Sequence, residues 1–124
     1  MRRGMLAAAS LILVLTACGQ RTPSPEAVAQ QWAEAVKVGD TAAVGALMPV
    51  AANNMLFAAW WGRANDFRKV GRLQAYTIES ATAAGNSTNV LIEWTGSQAP
   101  VCTTVQIAPD RTVSNVSDFE TCKE

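Results

Sequence analysis

The chain has no histidine, so no side chain has an unperturbed pKa near neutrality. Any general acid–base step would fall to an Asp or Glu whose pKa burial had raised. It has no glycine-rich phosphate loop and no cluster with metal-ligand spacing. Charge is sparse and balanced: ten basic and ten acidic residues in 124. That leaves no electrostatic footprint for nucleic acid or for an anionic bilayer. A membrane-spanning run is also missing, because the main apolar stretch, Met5 to Ala17, falls short of the roughly 20 residues a helix needs to cross a bilayer. Internal repeats and low-complexity segments are absent.

That stretch has a clear layout. Arg2 and Arg3 precede it, and only Ser10 and Thr16 interrupt it with polar groups. Its length suits the apolar region of an export signal, about 7–15 residues. It ends in Leu15-Thr16-Ala17-Cys18, an aliphatic residue, two small residues and a cysteine. This resembles the lipobox of a bacterial lipoprotein. The resemblance implies cleavage between Ala17 and Cys18 and a diacylglycerol thioether on Cys18. The competing reading is an ordinary secretory signal with Cys18 incidental; both export the chain. Residues 1–17 are then a leader, 18–23 a tether, and 24–124 one small domain. Without Arg2 and Arg3, eight basic residues face ten acidic ones, so attachment to the bacterial cell membrane, on its extracytoplasmic side, would rest on the lipid alone.

With Cys18 taken by the lipid, Cys102 and Cys122 remain. In an oxidising compartment they are most simply a structural disulfide. Two thiols without histidine fall short of the usual four zinc ligands. Both cysteines alternate opposite the apolar positions of their strands, so they meet on the outer face. A two-residue turn at Asp110-Arg111 would pair position 102 with 119, three short of Cys122. A bulge near Asn115, a wider turn or a C-terminal fold-back must absorb the difference.

Along the domain, Ser24-Pro25-Glu26 starts a helix with a capping hydroxyl, a proline at the first position and an early carboxylate. Val28, Trp32, Ala35 and Val36 share one face. Gly39 ends that helix and Asp40 caps a second, which carries Val44, Leu47 and Met48 inward and stops at Pro49. Asn53 caps a third helix with Leu56, Ala59 and Trp60 on one face. Gly62 breaks it, and Ala64 to Val70 adds another turn or two anchored by Phe67. From Leu73 the composition turns to that of strands. Four are expected: Leu73 to Ala83, Asn89 to Thr95, Val101 to Ala108, and Thr112 to Cys122. Their short turns imply an antiparallel meander. The fold class is α+β, with the helices covering one face of the sheet.

This order, with Ala35-Val36-Lys37-Val38-Gly39-Asp40 followed by Leu47-Met48-Pro49, is similar to the nuclear transport factor 2-like (cystatin-like) superfamily. The resemblance covers residues 24–122 and implies a curved four-stranded sheet wrapped around the first helix as a cone with a pocket at its wide end. Catalytic members hold an acid–base residue in that pocket. Here the candidates are Glu79 and Glu93, but both have opposite parity to the apolar positions of their strands, which places them on the wet face. The expectation is therefore a non-catalytic binding or accessory protein of the cell envelope, without cofactor, taking a small apolar ligand or a protein partner. An isomerase- or cyclase-like enzyme and a module using the outer sheet face are the rivals. Candidate surface residues are Trp60 and Trp61, which point about 100° apart on a helix, with Tyr76, Arg63, Arg68 and Arg72. With Lys69, these three arginines make up half of the mature chain's basic residues.

Replacing Cys18 with Ser is expected to leave the precursor uncleaved or to release the chain from membranes. Intact mass and membrane fractionation decide this, and normal processing with unchanged membrane partition would refute the lipobox.

Overall fold

The computed structural model describes residues 22–49 and 55–122. The leader, Cys18 and the Asn53 cap lie outside the described residues. Helix α1, Pro25–Val38, begins as its sequence dictates: Ser24 Oγ accepts the Ala27 N–H at 3.1 Å, with Pro25 at the first helical position. It ends at Gly39, whose φ of 77° is the left-handed geometry that glycine adopts without strain. Asp40 Oδ1 then accepts the Ala43 N–H at 3.0 Å and opens α2, Thr41–Leu47. The face of α1 turned to the core carries Val28, Ala29, Trp32, Ala33, Ala35 and Val36.

Helix α3, Met55–Lys69, is unbroken, and Gly62 does not interrupt it. A glycine in a helix interior costs about 1 kcal/mol relative to alanine. Burying one tryptophan removes about 200 Å² from water, an upper-bound gain on the order of 5 kcal/mol at ~25 cal/mol per Å². The stripe Phe57, Trp60, Ala64 and Phe67 spans both sides of Gly62 and packs on the core as one unit, so burial outweighs the glycine. The face expected from sequence is also corrected. Leu56 and Ala59 do not join Trp60 but lie exposed: of two overlapping stripes at helical spacing, the one through 56 and 59 runs on into Arg63 and Asp66, and the one through 57, 60, 64 and 67 stays apolar and packs on the core.

The sheet contains β1 Ala75–Ala84, β2 Ser87–Thr95, β3 Val101–Ile107, β4 Val113–Val116 and β5 Glu120–Thr121. It is an open antiparallel sheet in the order β1-β2-β3-β4, with β5 also pairing β3. Leu73, expected to start the first strand, is instead buried in the turn before β1. The single fourth strand expected over 112–122 is two pieces on the same edge of β3. A register shift pairs Gln106 with Asn115 but Ile107 with Val113. Pairing then lapses at Ser117–Phe119 and resumes with Cys102 opposite Glu120. Cys122, two residues on, shares the face of Glu120, and the Cys102–Cys122 disulfide closes there with the Cα atoms 5.1 Å apart. The lapse moves the partner of Cys102 by one residue, from Phe119 to Glu120, and the disulfide spans the remaining two residues diagonally on one face.

Alternation fills the inner face of the sheet with Val90, Ile92, Trp94, Val105 and Ile107, all essentially inaccessible to water. At one end of the domain two loops are stitched together. The Ser97 N–H donates to the Gly71 carbonyl at 2.8 Å, and Ser97 Oγ–H to the Val70 carbonyl at 2.6 Å. Gly96 makes this approach possible, since a Cβ there would collide with the Gly71 carbonyl oxygen and the Arg72 backbone.

Two glycines therefore predict opposite signs. Gly96→Ala is expected to destabilise the domain by about 2 kcal/mol or more through backbone collision. Gly62→Ala, whose added methyl meets nothing within 4 Å, is expected to stabilise it by up to about 1 kcal/mol. Denaturant melts of the two variants check this; equal midpoints would contradict the account.

Candidate functional site

The centre of the sheet's inner face is packed by three tryptophans. Trp32 of α1 lies with its ring centroid 5.3 Å from Trp60 of α3 and 6.4 Å from Trp94 of β2. A buried indole N–H needs an acceptor, and each ring has one. Trp32 Nε1 donates to Met48 Sδ at 3.1 Å, Trp94 Nε1 to Thr103 Oγ1 at 3.0 Å, and Trp60 Nε1 to the Ser117 carbonyl at 3.0 Å. Thr103 is the buried polar residue of the inner face, and that bond explains its place among valines.

The surface residues singled out from sequence are mostly engaged within the molecule. Trp60 is 2 % exposed, while Trp61 beside it is half-buried against the core. Arg63 Nε donates to Asp118 Oδ1 at 2.7 Å. Arg68 donates from Nε to the Val36 carbonyl at 3.1 Å and from Nη1 to Asn65 Oδ1 at 2.6 Å, and its guanidinium lies 5.2 Å from the Trp61 ring centre. Partial burial holds the Arg68 pKa below the ordinary guanidinium value. Arg72 lies 4.4 Å from the Phe67 ring centre and donates to the Ala99 carbonyl at 3.2 Å. Tyr76 stands apart from this group, on the inner face of β1 with its ring against Trp94. It also borders a wide, shallow groove of about 580 Å³ with Gln30, Glu34 and Val38.

Residues 117–122 form a strap between sheet and α3. Ser117 Oγ accepts the Thr104 N–H at 2.8 Å while its carbonyl takes the Trp60 indole. The Phe119 ring stacks 4.9 Å from Trp60 and lies 4.8 Å from Phe67. The disulfide fixes the far end of the strap; closing a loop of this length contributes about 3 kcal/mol in the chain-entropy account, whose mechanism is disputed.

The carboxylates lie outside. Glu93 pairs across from Cys102, and Glu79 is the extra residue of a bulge between Ile78 and Ser80. Both line a concavity of about 280 Å³ on the outer sheet face, together with Leu91, Glu120 and the two bridged cysteines. Leu91 and Glu120 escaped the sequence reading. Their signal was the disulfide itself, which draws Glu120 beside Glu93 once the C-terminal strand is paired. The concavity offers carboxylate acceptors around a half-buried leucine, an arrangement suited to a basic or hydrogen-bond-donating group with an apolar neighbour. Among the described residues, no set of three or more Cys, Asp or Glu side chains is placed to hold a metal ion, and no helix is long and apolar enough to cross a membrane. No protein-family model, curated protein or solved structure matches this chain.

Tyr76, the chain's single tyrosine, provides a clean titration. Its Oη lies 3.2 Å from Glu34 Oε1 and 3.4 Å from the Gln30 carbonyl oxygen. Desolvation first, then the Glu34 carboxylate, raises the phenol pKa. The folded state thus keeps a proton that the unfolded chain loses near pH ~10. The associated stability is fully present below that pH and is lost as pH rises through the folded value. Phenolate absorbance is expected to show a midpoint above that of free tyrosine, moving part of the way back in Glu34→Gln. A midpoint at the free value in the folded protein would contradict the contact.

Proposed function

We propose that this chain is a lipid-anchored, extracytoplasmic binding or accessory protein of the bacterial cell envelope that works by holding a protein partner, not by catalysis. The export signal and Cys18 support the location, and the Cys102–Cys122 disulfide fits an oxidising compartment. The observation that carries the binding reading is the division of the sheet. Trp32, Trp60 and Trp94 pack the centre of its inner face, and a concavity with Glu79, Glu93 and Glu120 lies on its outer face. The nuclear transport factor 2-like reading, with the sheet curved around α1, rests on the order of three helices and a meander. The contact surface is the outer sheet face around Leu91, and a basic partner segment suits its carboxylates.

A photo-crosslinking amino acid in place of Leu91 in the full lipidated chain tests this in native envelopes. Discrete protein adducts are expected at that position, absent with the same group in place of Glu26, and lost when Glu79→Lys and Glu93→Lys are added. Identical adduct patterns at both positions would overturn the surface. Turnover of any substrate that Glu93→Gln abolishes would overturn the non-catalytic assignment.

A further inference from the structure

The first turn of α3 presents apolar side chains to water. Met55 is 86 % and Leu56 79 % exposed, and Ala58 and Ala59 beside them are exposed too. Their place in the domain gives this a direction. Helices α1 and α3 run the same way: Trp60 meets Trp32, and further along both helices Arg68 meets the Val36 carbonyl. The chain after α3 reaches the loop at 96–99, through Gly71 to Ser97 and Arg72 to Ala99. The first turn of α3 therefore lies toward the opposite end. That is the end where Arg111 Nε donates to the Pro23 carbonyl at 2.7 Å, and from which the chain leads back to Cys18.

We infer that Met55 and Leu56 seat in the interfacial layer of the membrane that carries the Cys18 lipid, an inference resting on the lipid-anchor reading above. Cys18 to Thr22 is four residues, about 14 Å when fully extended, so this end of the domain is held close to the lipid surface. Two apolar side chains contribute about 1.5–3 kcal/mol each even when fully buried, too little to recruit a free chain with more acidic than basic residues. Anchored, the same contact becomes intramolecular at an effective concentration of order millimolar, and a weak contact is then occupied. Its consequence is orientation. The two attachments, the lipid and this turn, hold the domain in one orientation on the bilayer.

The test uses the full acylated chain in phosphatidylcholine–phosphatidylglycerol vesicles with and without bromine on the acyl chains. Met55→Trp is compared with Ala42→Trp, an exposed position on α2, and the unsubstituted protein supplies the background of four native tryptophans. The added emission in Met55→Trp is expected to be quenched at least twofold more than that in Ala42→Trp, and adding Leu56→Glu is expected to abolish the difference. All variants should float equally with vesicles through the acyl chains. Equal quenching at the two positions in floating protein overturns the membrane contact while leaving the anchor intact. Protein that carries no acyl mass and does not float overturns the anchor reading, and this contact with it. Unquenched Met55→Trp whose side chain is instead protected by a second copy or another protein assigns the turn to a protein interface and likewise overturns the inference.

Discussion

The meeting of Trp32 with Trp60 and Trp94 is the contact on which the domain depends. One indole on α1 touches one on α3 and one on β2, so a single side chain joins both helical elements to the sheet. Each ring removes a large apolar area from water, and each carries one N–H that must be satisfied inside. The acceptors come from three different elements: Met48 after α2, Thr103 on β3, and the Ser117 carbonyl beyond β4. The hydrogen bonds of the cluster thereby tie the end of α2, the buried polar residue of β3 and the break in the last strand to one another.

That lapse links the core to the covalent framework. At Ser117 to Phe119 the chain leaves the edge of β3, gives a carbonyl to Trp60 and a ring to the Trp60–Phe67 surface, and then returns to pair as β5. The disulfide fastens the returning end. The arginines of α3 serve the same assembly, Arg63 on Asp118 and Arg68 on the Val36 carbonyl. A guanidinium that binds backbone carbonyls and covers an aromatic face at once packs as much as it charges. The basic cluster thus fastens α3 in addition to whatever it presents outward.

Glu79, Glu93 and Glu120 gather on the outer face of the sheet beside Leu91 and the bridged cysteines, while Tyr76 and Glu34 meet on the other side at the edge of α1.

Much of this was legible in the residues. Helix α1 and its caps follow from Ser24, Pro25 and Gly39, because capping chemistry is local. The outward parity of Glu79, Glu93 and the cysteines follows from strand alternation, which has a fixed period of two. The disulfide was legible as the remaining pair once Cys18 was set aside. Other features required the tertiary structure. Whether Gly62 breaks α3 depends on how much area its two halves bury together. Whether Leu56 faces the core depends on which of two overlapping stripes the sheet accepts. Gly96 depends on a loop 25 residues earlier in the chain, and the split of the last strand on an indole 57 residues away from Ser117. Local rules act within a turn or two of the chain, whereas the packing at the centre of the inner face is set by three tryptophans brought together from residues 32, 60 and 94, and only the folded chain decides their distance.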